Sequence, residues 1–153
     1  MKKRIFAALC AILLILSLTA CAAKKTTCTL TIACETALSG SELDAQTAAA
    51  LPSDGYLLPA TEVEFTDGES VLDVLQRAAQ AENLTLDVVD GEYPYVNGIG
   101  VLAGGSAGAM SGWLFSVNGE YPSVGVADRK VQAGDAIVFS YTCDGGADLG
   151  ITW

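Results

Sequence analysis

The chain contains no histidine. That absence excludes Ser-His and Cys-His nucleophile pairs, and it excludes every zinc site built on imidazole. Positive charge is also scarce: eight Lys and Arg stand against eighteen Asp and Glu, a formal charge of −10. A surface of that sign repels nucleic-acid phosphates and anionic headgroups, so nucleic acid is excluded as a partner. No pairing of carboxylates, and no lysine in an activating setting, points to an enzyme. Catalytic residues and metal ligands are therefore expected to be none. Gly98-x-Gly100 lacks the third glycine and the following helix of a dinucleotide fingerprint, and Asp144-Gly-Gly-Ala-Asp148 lacks EF-hand spacing.

Long apolar runs are equally rare. One stands out, Ile5 to Leu16, behind a basic Lys2-Lys3-Arg4. It is short for a stable membrane span and fits the h-region of a signal peptide. It ends in Leu18-Thr19-Ala20-Cys21, which resembles the bacterial lipobox. The resemblance implies a signal peptide over 1–20, cleavage before Cys21 and a lipid thioether on that sulfur. Several acyl chains on one residue give stable anchoring. Residues 21–27 then form a lipidated tether in the outer leaflet of the cytoplasmic membrane, and the bacterial protein works extracytoplasmically. With the leader gone, five basic residues face eighteen acidic ones, a formal charge of −13.

The remaining length suits one domain with a modest core. Cys28-Thr-Leu-Thr-Ile-Ala-Cys34 alternates as a strand, with Cys28, Leu30, Ile32 and Cys34 on one face. Ser39 to Leu51 is helix-compatible, with Ser41 as N-cap, and Tyr56 to Phe65 holds a second strand. Ser70 and Asp73 make a shortened capping box ahead of Val71, Leu72, Leu75, Ala78 and Ala79, the stripe of the main helix. Leu84 to Asp90 follows as a strand. A glycine-rich, aromatic-bearing connection runs from Gly91 to Gly112, either a long irregular link with a small hairpin or the wall of a binding site. Trp113-Leu-Phe-Ser-Val117 turns at Asn118-Gly119, a pair suited to a tight hairpin. Ala136 to Thr142 reads as a buried last strand.

Ser111-Gly112-Trp113, Val117-Asn118-Gly119, Gly125-Val-Ala-Asp128, Gly134-Asp135 and Tyr141-Thr-Cys-Asp144 resemble the C-terminal β-domain of transcobalamin and intrinsic factor. They are also similar to the bacterial surface domains of uncharacterised function named after it. Glu62 to Phe65 and Asp67 to Leu75 fit the same pattern. The resemblance implies an α+β fold, a β-grasp-like single mixed sheet packed against one main helix over residues 28–153. Its first and last strands should lie side by side and parallel. In that topology Cys34 and Cys143 become neighbours, so a Cys34–Cys143 disulfide is expected, with Cys28 left as a buried thiol.

The same resemblance assigns ligand binding to Trp113, Tyr121, Pro122 and Val124, with cobalamin or another corrinoid as ligand. No imidazole exists to coordinate its cobalt. The carriers hold their ligand against a helical barrel that this chain lacks, so a second protein is expected to complete the sandwich. The other reading is a surface module for protein interaction or adhesion, with no small-molecule ligand.

Overall fold

The computed structural model describes residues 26–39 and 42–152. The leader, Cys21, the tether up to Lys25, Ser41 and Trp153 lie outside the described residues. Within them, the chain forms a sheet-dominated mixed α/β domain. Strand β1 (Thr26–Ala33) is followed by short helices α1 (Glu35–Leu38) and α2 (Ala45–Ala50), then β2 (Tyr56–Phe65) and helix α3 (Val71–Ala81). Strands β3 (Leu86–Val89), β4 (Tyr95–Ile99), β5 (Leu102–Ala103), β6 (Gly112–Val117) and β7 (Ala136–Thr142) complete the order.

The main sheet runs β2-β1-β7-β6, with β1 parallel to β7 and both other pairings antiparallel. The alternation read in β1 holds: Cys28, Leu30 and Ile32 are buried beside Ile137 and Phe139 of β7. Helix α3 covers this apolar side with Val71, Val74, Leu75 and Ala78. Val74 rather than Leu72 completes its buried stripe, since Leu72 is only half-buried.

The cap of α3 forms as the spacing predicts. Ser70 Oγ accepts from the Asp73 amide at 3.2 Å, and Asp73 Oδ2 accepts from the Ser70 amide at 2.7 Å. The Ser70 hydroxyl and amide hold the Asp73 carboxyl below its ordinary value of 3.8. A lowered carboxyl stabilises the fold above the unfolded value and ceases to as pH falls through the folded one. Ser70→Ala is expected to cost about 1 kcal/mol in urea unfolding at neutral pH. That difference should shrink as pH falls below 3.8 and Asp73 becomes protonated in the parent as well as in the mutant. Helix α2 is capped by Asp44, which accepts from the Gln46 and Thr47 amides.

Three expectations are corrected. Among the described residues there is not one sheet but two, because β3, within the strand read over Leu84 to Asp90, pairs with β4 and β5 of the glycine-rich stretch in a separate three-stranded sheet. Within the segment from Ser39 to Leu51 the helix is only Ala45–Ala50, and its N-cap is Asp44 instead of the expected Ser41. The expected Cys34–Cys143 bridge is not formed: Cys28, Cys34 and Cys143 are free thiols. The register explains it. Ala33 pairs with Ser140, so Cys34 falls opposite Tyr141 and Cys143 lies two residues further on. At about 3.3 Å per residue that offset, added to the strand spacing, exceeds the Cα separation a disulfide spans.

Cys34 instead packs fully buried with Ala37, Leu51, Leu102, Ala107 and Tyr141. Burial pushes its thiol up to about 11. Cys28 and Cys34 are expected to resist iodoacetamide at pH 8 in the native protein, with half-buried Cys143 reacting first. In urea without reductant, all three should alkylate, as peptide mapping would read.

Candidate functional site

Two turns at one end of the main sheet clasp each other, and from this clasp the candidate site is built. Asn118 and Gly119 adopt the positive φ of a hairpin turn, 55° and 81°. The Asn118 amide donates to the Ala136 carbonyl at 2.8 Å, and its Oδ1 accepts from the Ala136 amide at 2.9 Å. Its Nδ2 donates to Asp135 Oδ1 at 2.8 Å. The other Asp135 oxygen accepts from the Gln132 amide at 2.9 Å and from Arg129 Nη2 at 3.3 Å. Asp135 is 5 % exposed, and its backbone carbonyl accepts from Thr29 of β1. The Asn-Gly and Gly-Asp pairs read as family marks are thus structural. They fix where the chain leaves β6.

Beyond the clasp, Glu120 closes a two-bond hairpin with Val117, and Tyr121 to Gly125 forms a strap beside β6. The strap is pinned where Val126 buries its side chain and its carbonyl accepts from the Leu72 amide of α3. A hollow lies on each side of it. The inner one, about 200 Å³, is lined by Trp113, Leu114 and Phe115 of β6, by Tyr121 and Pro122, and by Pro94, Tyr95 and Val96 at the start of β4. The outer one, about 660 Å³, is lined by Val117, Asn118, Glu120, Tyr121, Pro122, Ser123, Val124 and Arg129.

The four expected ligand residues therefore fall on one strap and its floor. Trp113, Tyr121 and Pro122 meet in the inner hollow, while Val124 lines the outer one with Tyr121 and Pro122. Tyr121 and Val124 are 36 % and 47 % exposed. Trp113 is held from behind: its indole N–H donates to the Leu102 carbonyl at 3.0 Å, and its ring meets Tyr141 edge-on at 5.2 Å. Phe115 stacks on Phe139 at 5.8 Å. Burial and the nearby Asp148 carboxylate raise the Tyr121 phenol, so it is neutral at physiological pH.

The Ser111-Gly-Trp step has a further task that local sequence reasoning missed. Ser111 Oγ accepts from the Ala107 amide at 3.0 Å and donates to the Gly108 carbonyl at 2.7 Å. Tyr141 OH reaches that same oxygen at 3.0 Å and the Ala103 carbonyl at 2.8 Å. The glycine-rich segment is thereby tied to β7, and Pro94 and Tyr95 are brought opposite Trp113. Those two wall residues were also missed as site residues. The only signal was their place in an aromatic-bearing, glycine-rich stretch.

A family model described as "Domain of unknown function (DUF4430)" matches residues 68–143. That stretch is 76 of the 153 residues. The match runs from the turn before α3 to the residue after β7, and takes in both hollows. Haptocorrin, solved in complex with Cbi, shares the fold with a TM-score of 0.52 at 15 % identity, over 77 % of this chain and 25 % of that one. The chain thus spans about a quarter of haptocorrin's length. A protein from Ruminococcus gnavus ATCC 29149, described as "a putative metal binding protein", aligns at 18 % identity over 77 % of this chain and 97 % of that one, TM-score 0.46. No curated protein matches the chain. The haptocorrin likeness agrees in fold with the sequence resemblance to the transcobalamin β-domain. Among the described residues, no three Cys, Asp or Glu converge as metal ligands, and no helix is long and apolar enough to cross a membrane.

Proposed function

We propose that this chain is a DUF4430 domain that serves as an extracytoplasmic, non-catalytic binding module, lipid-anchored through Cys21, and takes a flat, largely apolar ligand of the corrinoid class on its strap. The leader and lipobox support the anchor. The parallel β1–β7 centre with α3 across it supports a β-grasp-like reading of the fold. The observation that carries the ligand reading is the strap itself, whose Tyr121, Pro122 and Val124 line the outer hollow as an apolar ridge, with Tyr121 and Val124 exposed. That hollow is of ordinary small-molecule size, and the inner one is smaller than most ligand pockets. A ligand laid on this ridge is covered on one face only, so a second protein completes the enclosure.

The test uses the Trp153→Phe variant, which leaves Trp113 as the sole indole of a chain with two tryptophans. Titration with cobinamide should quench Trp113 emission saturably, and Tyr121→Ala or Val124→Asp should weaken the apparent affinity at least about tenfold, the loss of ~1.4 kcal/mol of contact. Unchanged emission up to millimolar cobinamide would remove corrinoids as ligands of the protein alone.

The inner hollow favours a second reading, protein docking. At about 200 Å³ it suits one inserted side chain better than a whole small molecule.

A further inference from the structure

The main sheet ends on two outer strands of opposite character. β2 carries Pro59, Glu62 and Glu64, the proline and charges that discourage unwanted strand pairing. β6 reads Gly-Trp-Leu-Phe-Ser-Val, with no charge and no proline. Its hydrogen-bond parity is set by the clasp. The Asn118 amide points to β7, so alternate residues Ser116, Leu114 and Gly112 also face β7. Val117, Phe115 and Trp113 turn their amides and carbonyls outward. Val117 is satisfied by Glu120, while the backbones of Trp113 and Phe115 have no partner among the described residues. Both residues also line the inner hollow.

Charge selects what would fill that place. Among the described residues, Arg77, Arg129 and Lys130 are the basic side chains against eighteen acidic ones. Both arginines are already paired, Arg77 with Glu69 and Arg129 with Asp135. No basic residue lines the inner hollow. Its surroundings carry Asp128, whose carboxylate lies 3.8 Å from where a Cβ on Gly125 would sit, and Asp148, which raises the Tyr121 phenol. Aromatic faces beneath an acidic rim favour a cation over an anion.

We propose that the open edge of β6 receives an extended, lysine- and arginine-rich segment of a second protein, which adds a short strand at Trp113 and Phe115 and places one side chain in the inner hollow. Main-chain bonds supply affinity and the hollow supplies side-chain selection, as in other strand-addition complexes. The proposal rests on the reading that this strap region is the binding site, and it gives the second protein the inner hollow while the flat ligand keeps the outer ridge.

The experiment uses the whole chain and three dye-labelled octapeptides: alternating Lys-Val, alternating Glu-Val, and the Lys-Val sequence N-methylated at every second amide. Anisotropy is read at low and moderate salt, with amide hydrogen exchange at Trp113 and Phe115. The expected result is saturable binding of the Lys-Val peptide, weakened at least tenfold by N-methylation and absent for Glu-Val. The Trp113 and Phe115 amides should gain protection. Gly112→Lys sets a cation on this edge where a Cβ meets nothing within 4 Å, so the fold tolerates it, and binding should fall about tenfold. Equal binding of the N-methylated peptide would show attraction by charge alone and overturn strand addition. No peptide binding alongside cobinamide quenching would overturn this proposal and leave the ligand reading standing. Failure of both probes would overturn the two together.

Discussion

Asp135→Ala is expected to lower stability by about 3 kcal/mol, because it removes one member of a buried charge pair and leaves the other without its counter-ion. Asp135 is nearly inaccessible, and its carboxylate receives the Gln132 amide, Asn118 Nδ2 and Arg129 Nη2. Alanine satisfies none of them. A loss of that size is a large share of the ~5–15 kcal/mol that holds a typical domain together. The urea midpoint should drop by more than about 1 M if the slope is ordinary for this length. Asp135→Asn keeps one acceptor and the side-chain volume, so it should cost roughly half as much. Near-equal midpoints for Asp135→Ala and the parent would mean that the clasp does not hold the hairpin.

The second large effect is expected at Trp113. Truncation to alanine empties the space against Tyr141 and strips the Leu102 carbonyl of its indole donor. Core Trp→Ala changes cost ~3–5 kcal/mol, and a half-buried site belongs at the lower end. Trp113→Phe retains the ring contact but loses the bond to Leu102, so about 1 kcal/mol should go with that bond alone. Measured by urea unfolding, the pair separates packing from hydrogen bonding. A cost near zero for Trp113→Ala would make the residue a surface group and not a wall of the hollow.

Much of the architecture was readable where a single period dominated the sequence. The alternation in β1, the stripe of α3 with its Ser70–Asp73 cap, the Asn118-Gly119 turn and the whole of β7 follow from local pattern. The second sheet did not, because its order depends on close backbone approach. A Cβ on Gly98 would come within 3.3 Å of the Leu102 carbonyl, a contact no periodicity reports. Tyr121, Pro122 and Val124 were legible as an aromatic, proline-bearing strap. Pro94 and Tyr95 were not, since no local pattern joins them to Trp113, whose hollow they share across a long stretch of chain. The absent disulfide follows the same logic: parallel pairing of β1 and β7 was foreseen, but a two-residue offset in register is invisible before the strands are laid together.

The direction of β1 carries one more consequence. Its first residues, Thr26 and Thr27, stand at the end of the sheet that bears the clasp, where the Thr27 carbonyl accepts from the Gly134 amide at 2.8 Å. With the proposed lipid on Cys21, only four residues separate the bilayer from that end, at most about 3.5 Å each. The ridge of Tyr121 and Val124 would then look down toward the membrane surface rather than out into the surrounding medium. A transport protein embedded in the same bilayer would be better placed to meet it than a soluble visitor.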